Sequence, residues 1–266
     1  MTLWLLGYVA LGAVAGFFAG LLGVGGGAIM VPVLALMFAA QGFPETHLMH
    51  LALGTSMAAI VFTSISSLRA HHSHGAVRWP IVRIIAPGIL VGTFFGAQLA
   101  SLIPTRPLAI FFTVFMSYVA FQMLANIKPK PSRQLPGAFG MFVVGSGIGA
   151  VSALVAIGGG SLSVPFMTWC NVKMHDAIGT SAAIGLPIAV AGTIGYLVGG
   201  WGATALPAWS FGYIYLPALA GCVVASMLTA PFGARAAHSL PVATLKKIFA
   251  GVILLLLAKM VHGLFW

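Results

Sequence analysis

Charged residues are scarce in this chain. Only 5% of its 266 residues are charged and 60% are hydrophobic, whereas a soluble domain carries about 25% charged residues. This composition excludes an ordinary soluble domain. Helices of about 20 apolar residues span a bilayer, and mostly apolar stretches of that length cover residues 3–22, 50–68, 80–103, 108–125, 137–157, 177–199, 211–234 and 242–265. The sequence therefore predicts an all-α, multi-pass integral membrane protein.

Acidic residues and cysteines are also rare. The chain has two acidic residues, against 12 Lys and Arg. It therefore offers few carboxylates that could act as catalytic acids or bases. The HExxH and Gly-x-Ser-Gly motifs of membrane proteases are absent, and we expect neither enzymatic activity nor a cofactor. Cys170 and Cys222 form no disulfide or metal pattern. The net charge of +10 lies in short loops, which indicates membrane orientation and no nucleic acid partner.

The sequence repeats itself once. "GVGGGAIMVPVL" (23–34) matches "AIGGGSLSVPFM" (156–167), "MHLALGTS" (49–56) matches "MHDAIGTS" (174–181), and "FFGAQLASLIP" (94–104) matches "PFGARAAHSLP" (231–241). A basic, proline-rich linker at 127–136 separates the halves. We predict one transmembrane domain, 1–266, with repeat 1 at 1–126 and repeat 2 at 137–266.

Triple glycines interrupt an apolar stretch in each half. Each glycine costs a helix interior about 1 kcal/mol relative to alanine. If every apolar stretch crosses the membrane, the 12 basic residues split 7 to 5 between the two sides; if each glycine break turns the chain back, they split 10 to 2. The second split fits the positive-inside rule. It predicts two inverted-topology repeats, each a glycine-broken re-entrant helical hairpin plus three transmembrane helices, with basic loops on the cytoplasmic side of a bacterial inner membrane.

The glycine breaks are candidate binding sites. Non-helical backbone survives within a membrane only where protein buries it or where it lines a polar cavity. A helix that starts after each break presents free N–H groups and the positive end of its dipole to an anion. Gly25, Gly26, Gly27, Gly158, Gly159, Gly160 and Ser161 are the predicted substrate contacts in these breaks. The alternative is that the glycines only shape the hairpins.

The paired Gly-Thr-Ser triplets supply further candidates. Thr55 and Thr180 follow predicted helix starts at Pro44 and Asn171 by about ten residues, or about 15 Å, half of a hydrocarbon core. Both triplets are therefore expected at the bilayer centre, where Thr55, Ser56, Thr180 and Ser181 would donate hydroxyl hydrogen bonds to one anion. The alternative is that their small side chains only pack helices together.

Two histidines precede the triplets at equivalent positions. His50 and His175, with Asp176 beside the second, are candidates for proton coupling. The alternative for each histidine is an interfacial side chain bonded to a carbonyl, and Asp176 would pair with His175 or Lys173 or cap the first turn. The stretch "RAHHSHGAVR" (69–78) is expected to be a solvated basic loop. Glu45, His47 and His50 have no accompanying ligands, so no metal site is predicted.

These motifs resemble the sulfite exporter TauE/SafE family. The resemblance rests on "GLLGVGGGAIMVP" and "ALVAIGGGSLSVP", on the paired "ALGTS" and "AIGTS", and on "HGAVRW" before Pro80. It implies a secondary transporter in the lipid bilayer that exports small sulfur-containing anions such as sulfite or organosulfonates. An anion channel, a carrier for another small organic anion, and a membrane-assembly component without a substrate remain alternatives. The oligomeric state is open.

Overall fold

A computed structural model describes residues 2–22, 26–125, 132–239 and 242–265. The part of repeat 1 within these ranges folds into five α-helices, with a short 3₁₀ turn at Glu45–His47 before the third. The helices are α1 (Thr2–Leu22), α2 (Gly27–Ala40), α3 (Leu48–Ser73), α4 (Trp79–Leu102) and α5 (Thr105–Leu124). The helix starts at α4 and α5 follow from proline chemistry, because Pro80 stands at the second position of α4 and Pro104 is the N-cap of α5.

Repeat 2 repeats this order of elements. Its helices are α6 (Ala138–Val155), α7 (Gly160–Trp169), α8 (Met174–Gly199), α9 (Leu216–Ser239) and α10 (Val242–Phe265). One departure from the all-helical prediction is a two-stranded antiparallel ribbon of β1 (Ser210–Phe211) and β2 (Ile214–Tyr215). It occupies residues that the apolar pattern had assigned to the start of a membrane helix, so α9 begins five residues later than predicted. Hydropathy could not separate an apolar ribbon from a helix end.

Seven helices within the described ranges are long and apolar enough to cross a membrane. They cover Leu3–Leu21, Glu45–Ser73, Trp79–Leu102, Thr105–Leu124, Ala138–Val155, Met174–Gly199 and Leu216–Ala236. The eighth predicted segment, 242–265, is also helical as α10. The α3 segment is 83% buried, against 33–56% for the other six. The protein is therefore a multi-pass helical bundle in which α3 lies nearest the centre.

Small residues bring helices of opposite halves into close contact. A Cβ atom on Gly12, Gly16 or Gly20 of α1 would collide with the backbone of α9, successively at Cys222, Ser226 and Ala230. The same spacing joins α4 to α6, where Gly88, Gly92 and Gly96 face Phe142, Ser146 and Ala150. Both pairs run parallel, since the partner residues increase together. Close approach through residues spaced four apart is the usual packing of membrane helices.

The central pair, α3 and α8, runs antiparallel. Gly54 lies beside Tyr196, Met57 beside Gly192 and Ser64 beside Gly185, so the residue number falls on α8 as it rises on α3. These two helices occupy the same place in the two halves of the sequence.

One end of the bundle carries a group of basic residues. The end where α3 finishes and α8 begins, here called the basic end, holds Arg69, Arg78, Lys173 and Arg235. Arg133, in the described part of the linker, lies over the Trp169 ring at the end of α7. The opposite end is where α3 starts, and there the Thr105 hydroxyl donates to the carbonyl of Thr46, which joins the start of α5 to the turn before α3.

Candidate functional site at the glycine breaks

The first break separates α1 from α2. Gly26 has φ 79°, in the left-handed region that glycine adopts without a steric penalty. Its carbonyl oxygen accepts hydrogen bonds from the N–H groups of Ile29 and Met30, each at 3.1 Å, which begins the α2 ladder. Gly25, another predicted contact, lies outside the described residues.

The second break has the same construction. Gly159, the sequence equivalent of Gly26, has φ 82°, and its carbonyl accepts from Leu162 and Ser163 at 3.0 and 2.7 Å. The preceding helix α6 ends at Val155, and its C-cap residue Ala156 is also left-handed, with φ 45°. The predicted helix breaks at the glycines are thus present in both halves, with a short helix starting at the third glycine of each triplet.

The two breaks touch each other inside the bundle. A Cβ atom on Gly27 would overlap the carbonyl oxygen of Ala156 and lie 3.0 Å from Cδ1 of Ile60. Both residues are buried. The start of α2 and the end of α6 therefore meet next to the central helix α3.

A small cavity lies against the second break. Its lining residues are Ala19, Thr63, Ser64, Ser67, Gly158, Ala182 and Gly185. The volume open to the centre of a water molecule is about 10 Å³, which is near the minimum for one water. No charged side chain belongs to this lining, and its polar groups are three hydroxyls of α3 and the backbone of the break.

Three hydroxyls, one in the first triplet, one in the cavity lining and one at the start of α7, are buried without a hydrogen-bond partner. They are those of Ser56, Ser67 and Ser161. The equivalent of Ser56, Ser181, instead accepts a hydrogen bond at 2.9 Å from Ser163 of α7. A buried polar group without a partner costs about 1–3 kcal/mol, so these hydroxyls mark places where a ligand or water would be stabilised.

Each Gly-Thr pair holds a loop of the other half. The hydroxyl oxygen of Thr180 accepts from the backbone N–H of Arg78 at 3.0 Å, and that of Thr55 accepts from the N–H of Tyr215 at 3.0 Å. The glycine before each threonine permits the approach, because a Cβ on Gly179 would meet the carbonyl of Ala76 at 2.5 Å. A Cβ on Gly54 would likewise collide with the Tyr213 carbonyl. The loops before α4 and α9 are therefore anchored alike.

The structure does not bring the two triplets together. Thr55 precedes the Ser64–Gly185 contact by nine residues on α3, and Thr180 precedes it by five on the antiparallel α8. Fourteen residues of helix at 1.5 Å each separate the two threonines by about 21 Å along the bundle. The expectation that the triplets meet at one depth assumed helix starts at Pro44 and Asn171. The helices start at Leu48 and Met174 and run for 26 residues, so the triplets lie short of their midpoints.

The predicted coupling residues lie at opposite ends. His50 is buried, and its Nε2–H donates to the carbonyls of Ala100 and Ile103 at 3.2 and 3.0 Å. Its ring stacks on Tyr213 with centroids 4.9 Å apart, and burial raises the pKa of Tyr213, so that phenol stays protonated. His175 is exposed. Asp176 pairs with Arg78 at 2.6 Å, a partner that the sequence analysis did not consider.

The polar face of α3 was not predicted from the sequence. Thr63, Ser64, Ser67 and His71 are buried, at positions three and four residues apart that share one face of a helix. His71 was expected in a solvated loop, but α3 continues to Ser73 and the His71 Nε2–H donates to the Gly20 carbonyl at 3.1 Å. The spacing was visible in the sequence, but polar residues also lie on other faces of α3, among them Thr55, Ser66 and Arg69, and leave the helix with little amphipathic contrast.

Broken helices that meet around a hydroxyl-lined cavity within a multi-pass bundle are the architecture of a membrane transporter. Residues 8–260 match the model of the sulfite exporter TauE/SafE family. The chain therefore belongs to that family.

Similar proteins occur in distant microorganisms. A "Probable membrane transporter protein" of Haemophilus influenzae is 40% identical over 244 residues, which cover 90% of this chain and 91% of that protein. The "Probable membrane transporter protein YdhB" of Bacillus subtilis is 28% identical over 254 residues, 90% and 96% of the two chains. The "Probable membrane transporter protein MJ0441" of Methanocaldococcus jannaschii is 25% identical over 215 residues, 79% and 77% of the two chains. No solved structure gave a significant match.

Proposed function

We propose that the protein is a secondary transporter that exports small sulfur-containing anions, such as sulfite or organosulfonates, and that the anion binds where the two glycine breaks meet. The contact of Gly27 with Ala156 is the observation that supports this site best. It joins the start of α2 to the end of α6, two residues before Gly158, which lines the hydroxyl-lined cavity. The description of the family supports the substrate class.

The proposed site attracts an anion through dipoles. The first N–H groups of α2 and α7 have no partner within their own helices, and both helices direct the positive ends of their dipoles toward the breaks. Glycine at the turns lets a ligand approach the backbone closely. Hydrogen bonds to a charged group contribute about 1.5–3 kcal/mol each, so a few such donors suffice for a weakly held, releasable substrate.

The proposed contacts differ in part from those predicted from the sequence. The backbone of Gly26, Gly27 and 158–160 and the hydroxyl of Ser161 remain, together with Ser181, which bonds to Ser163 of α7. Ser56 is left out, because the Ser64–Gly185 contact places it about 18 Å from Ser181 along the bundle. We add Ser64 and Ser67, because they line the cavity beside Gly158. Thr55 and Thr180 are proposed to act indirectly, by holding the loops that precede α9 and α4.

A carrier mechanism fits the size of the cavity. Space for about one water molecule is too small for sulfite, so binding requires the helices around the break to separate. We propose that the two halves are inverted-topology repeats that rock against each other. The antiparallel α3 and α8 support this arrangement, since equivalent helices of parallel repeats would run in the same direction.

The proposed orientation places the basic end in the cytoplasm of a bacterial cell, with the protein in the inner membrane. Short loops rich in Lys and Arg remain on the cytoplasmic side, and Arg69, Arg78, Lys173 and Arg235 lie together at this end. A single cysteine at Ser73 should be protected from an impermeant thiol reagent in intact cells, and one at Thr204 should be labelled. The reverse pattern would overturn the orientation.

Proton coupling is proposed for His50 alone among the three original candidates. His50 is buried between α4 and the loop that carries Tyr213. His175 is exposed, and Asp176 already pairs with Arg78.

Counterflow in proteoliposomes tests the transport proposal. Vesicles loaded with unlabelled sulfite or sulfoacetate should accumulate the labelled anion transiently, and the rate should saturate, because a carrier binds its substrate before it moves. Ser67→Ala should lower apparent affinity about tenfold, the equivalent of one hydrogen bond of about 1.4 kcal/mol. Ser146→Ala is the matched control, since the Ser146 hydroxyl donates to its own helix at Phe142. Linear, non-saturating flux would indicate a channel and contradict the proposal.

A further inference from the structure

A pocket of about 300 Å³ opens between α3 and α9 at the basic end. Its polar lining consists of Ser66, Arg69, Ser73, His74 and Arg235. The two arginines belong to different helices and to different halves of the chain. Arginine keeps its charge at every physiological pH, and its planar group binds oxyanions through paired hydrogen bonds.

No carboxylate side chain is available to balance these arginines. The chain contains two acidic residues, Glu45 and Asp176. Asp176 pairs with Arg78 at 2.6 Å. Glu45 lies at the opposite end of α3, 24 positions before Arg69, or roughly 36 Å at 1.5 Å per residue. Neither acidic side chain of the chain therefore lies beside Arg69 and Arg235 in this pocket.

The residues that correspond to Arg69 and Arg235 in the sequence repeat are not arginines. In the aligned motifs, Arg235 of "PFGAR" corresponds to Gln98 of "FFGAQ", and continuing the alignment of the triplets places Ile194 opposite Arg69. Gln98 donates from Nε2 to the Gly195 carbonyl at 2.8 Å and so joins α4 to α8. At the opposite end, Gln98 thus links two helices by a hydrogen bond. The equivalent positions at the basic end are both arginines.

The pocket lies one helical turn outside the central cavity. At its inner edge the Ser66 hydroxyl donates to the Met227 carbonyl at 2.9 Å. Just beyond, Thr63 donates to Ser226 at 2.8 Å, and Thr63 also lines the central cavity. Two hydrogen bonds between α3 and α9 therefore separate the two spaces.

From this geometry we propose that the pocket is an oxyanion-binding vestibule, in which Arg69 and Arg235 hold a sulfonate, sulfite or phosphate group before it enters the central cavity. The inference rests on the proposed transport function for its role, but not for its binding chemistry. The phosphate group of an anionic lipid offers the same chemistry as a free anion, so the test separates these two sources.

The test uses the full chain with Ser73→Cys, in nanodiscs of zwitterionic lipid. Cys170 and Cys222 are buried, and the parent chain measures their background. A sulfonate-bearing methanethiosulfonate reagent should react with the new thiol faster than a trimethylammonium-bearing one. Adding Arg69→Gln and Arg235→Gln should reduce this ratio about tenfold, as expected when a charged cleft no longer concentrates an anion. Arg83→Gln, an exposed arginine near the start of α4 at the same end, should leave the ratio unchanged.

Competition identifies the source of the anion. Methanesulfonate or inorganic phosphate should slow the modification in the Ser73→Cys chain and not in the double-arginine variant. Protection by phosphatidylglycerol nanodiscs, without protection by free anions, would assign the pocket to a lipid headgroup. A ratio that the arginine substitutions leave unchanged, with no protection from either source, would overturn the proposal. Gly159→Ala, placed in the central site, should leave protection intact, so failure of the transport proposal would be recognised separately.

Discussion

At the basic end, the loop before α4 places the Ala76 carbonyl on Gly179 and the Arg78 N–H on Thr180. At the opposite end, the loop before α9 uses the same two contacts, through Tyr213 and Tyr215 on Gly54 and Thr55. The loops themselves differ, since one is a short connection and the other includes a β-ribbon.

The two ends share the same backbone contacts but differ in their side chains. The basic end has Arg69 and Arg235 around an open pocket, and the opposite end has His50 stacked on Tyr213 and Gln98 bonded across the helices. The two ends thus have the same kind of backbone anchor, while each end has its own side-chain chemistry. This division suits a transporter, because one end must collect the substrate and the other must release it.

The largest expected effect comes from the contact that both halves share. Gly27→Ala places a methyl group onto the Ala156 carbonyl, and overpacking of this kind costs about 3 kcal/mol. We expect a lower thermal midpoint and loss of counterflow, measured on the purified protein. Gly147→Ala is the control, because a Cβ there meets no atom within 4 Å. A Gly27→Ala protein with normal stability and transport would show that the breaks need no close contact.

The two threonine anchors should be equivalent. Thr55→Val and Thr180→Val each keep the side-chain shape and leave one loop N–H without an acceptor, at a cost of about 1–3 kcal/mol. Chemical denaturation in detergent would measure both. Thr113→Val serves as the control, since the Thr113 hydroxyl donates to Ala109 within its own helix. A loss confined to one of the two anchors would break the comparison between the ends.

The histidines should not be equivalent. His50→Gln is expected to abolish transport driven by a pH gradient while counterflow continues, because exchange needs no proton transfer. His175→Gln should change neither, since His175 is exposed. Vesicle uptake with and without a pH gradient distinguishes these outcomes. Retained pH-driven uptake in His50→Gln would leave the histidine only its hydrogen bonds to the Ala100 and Ile103 carbonyls.

The smallest effect is expected at the ion pair of the basic end. Asp176→Asn removes the charge from a pair in which the Arg78 side chain is 58% exposed, and exposed pairs contribute about 0–1 kcal/mol. The thermal midpoint should fall slightly in low salt and match the parent in high salt. A destabilisation of more than 2 kcal/mol would mean that the pair, rather than Thr180, holds the loop before α4.

The sequence was sufficient to predict the elements that depend on local chemistry. The glycine triplets predicted both helix breaks. The matched motifs identified Gly26 and Gly159 as equivalent residues, and likewise Thr55 and Thr180. Their depth was not predictable, because it depended on helix starts that differed by three or four residues from those assumed. The Arg78–Asp176 pair joins residues 98 positions apart, and no local pattern predicts such a contact. The ribbon at Ser210–Tyr215 was hidden because apolar strands and apolar helix ends look alike.

The most direct test of the account is to locate a bound anion. Selenite has the shape and charge of sulfite, and selenium gives an anomalous X-ray signal, so crystals grown with selenite would mark its position. We expect a selenium peak beside Gly158, within hydrogen-bond distance of the Ser64 and Ser67 hydroxyls, and a second peak between Arg69 and Arg235. A selenium signal only outside the glycine breaks, in crystals of a transport-competent protein, would contradict the central claim.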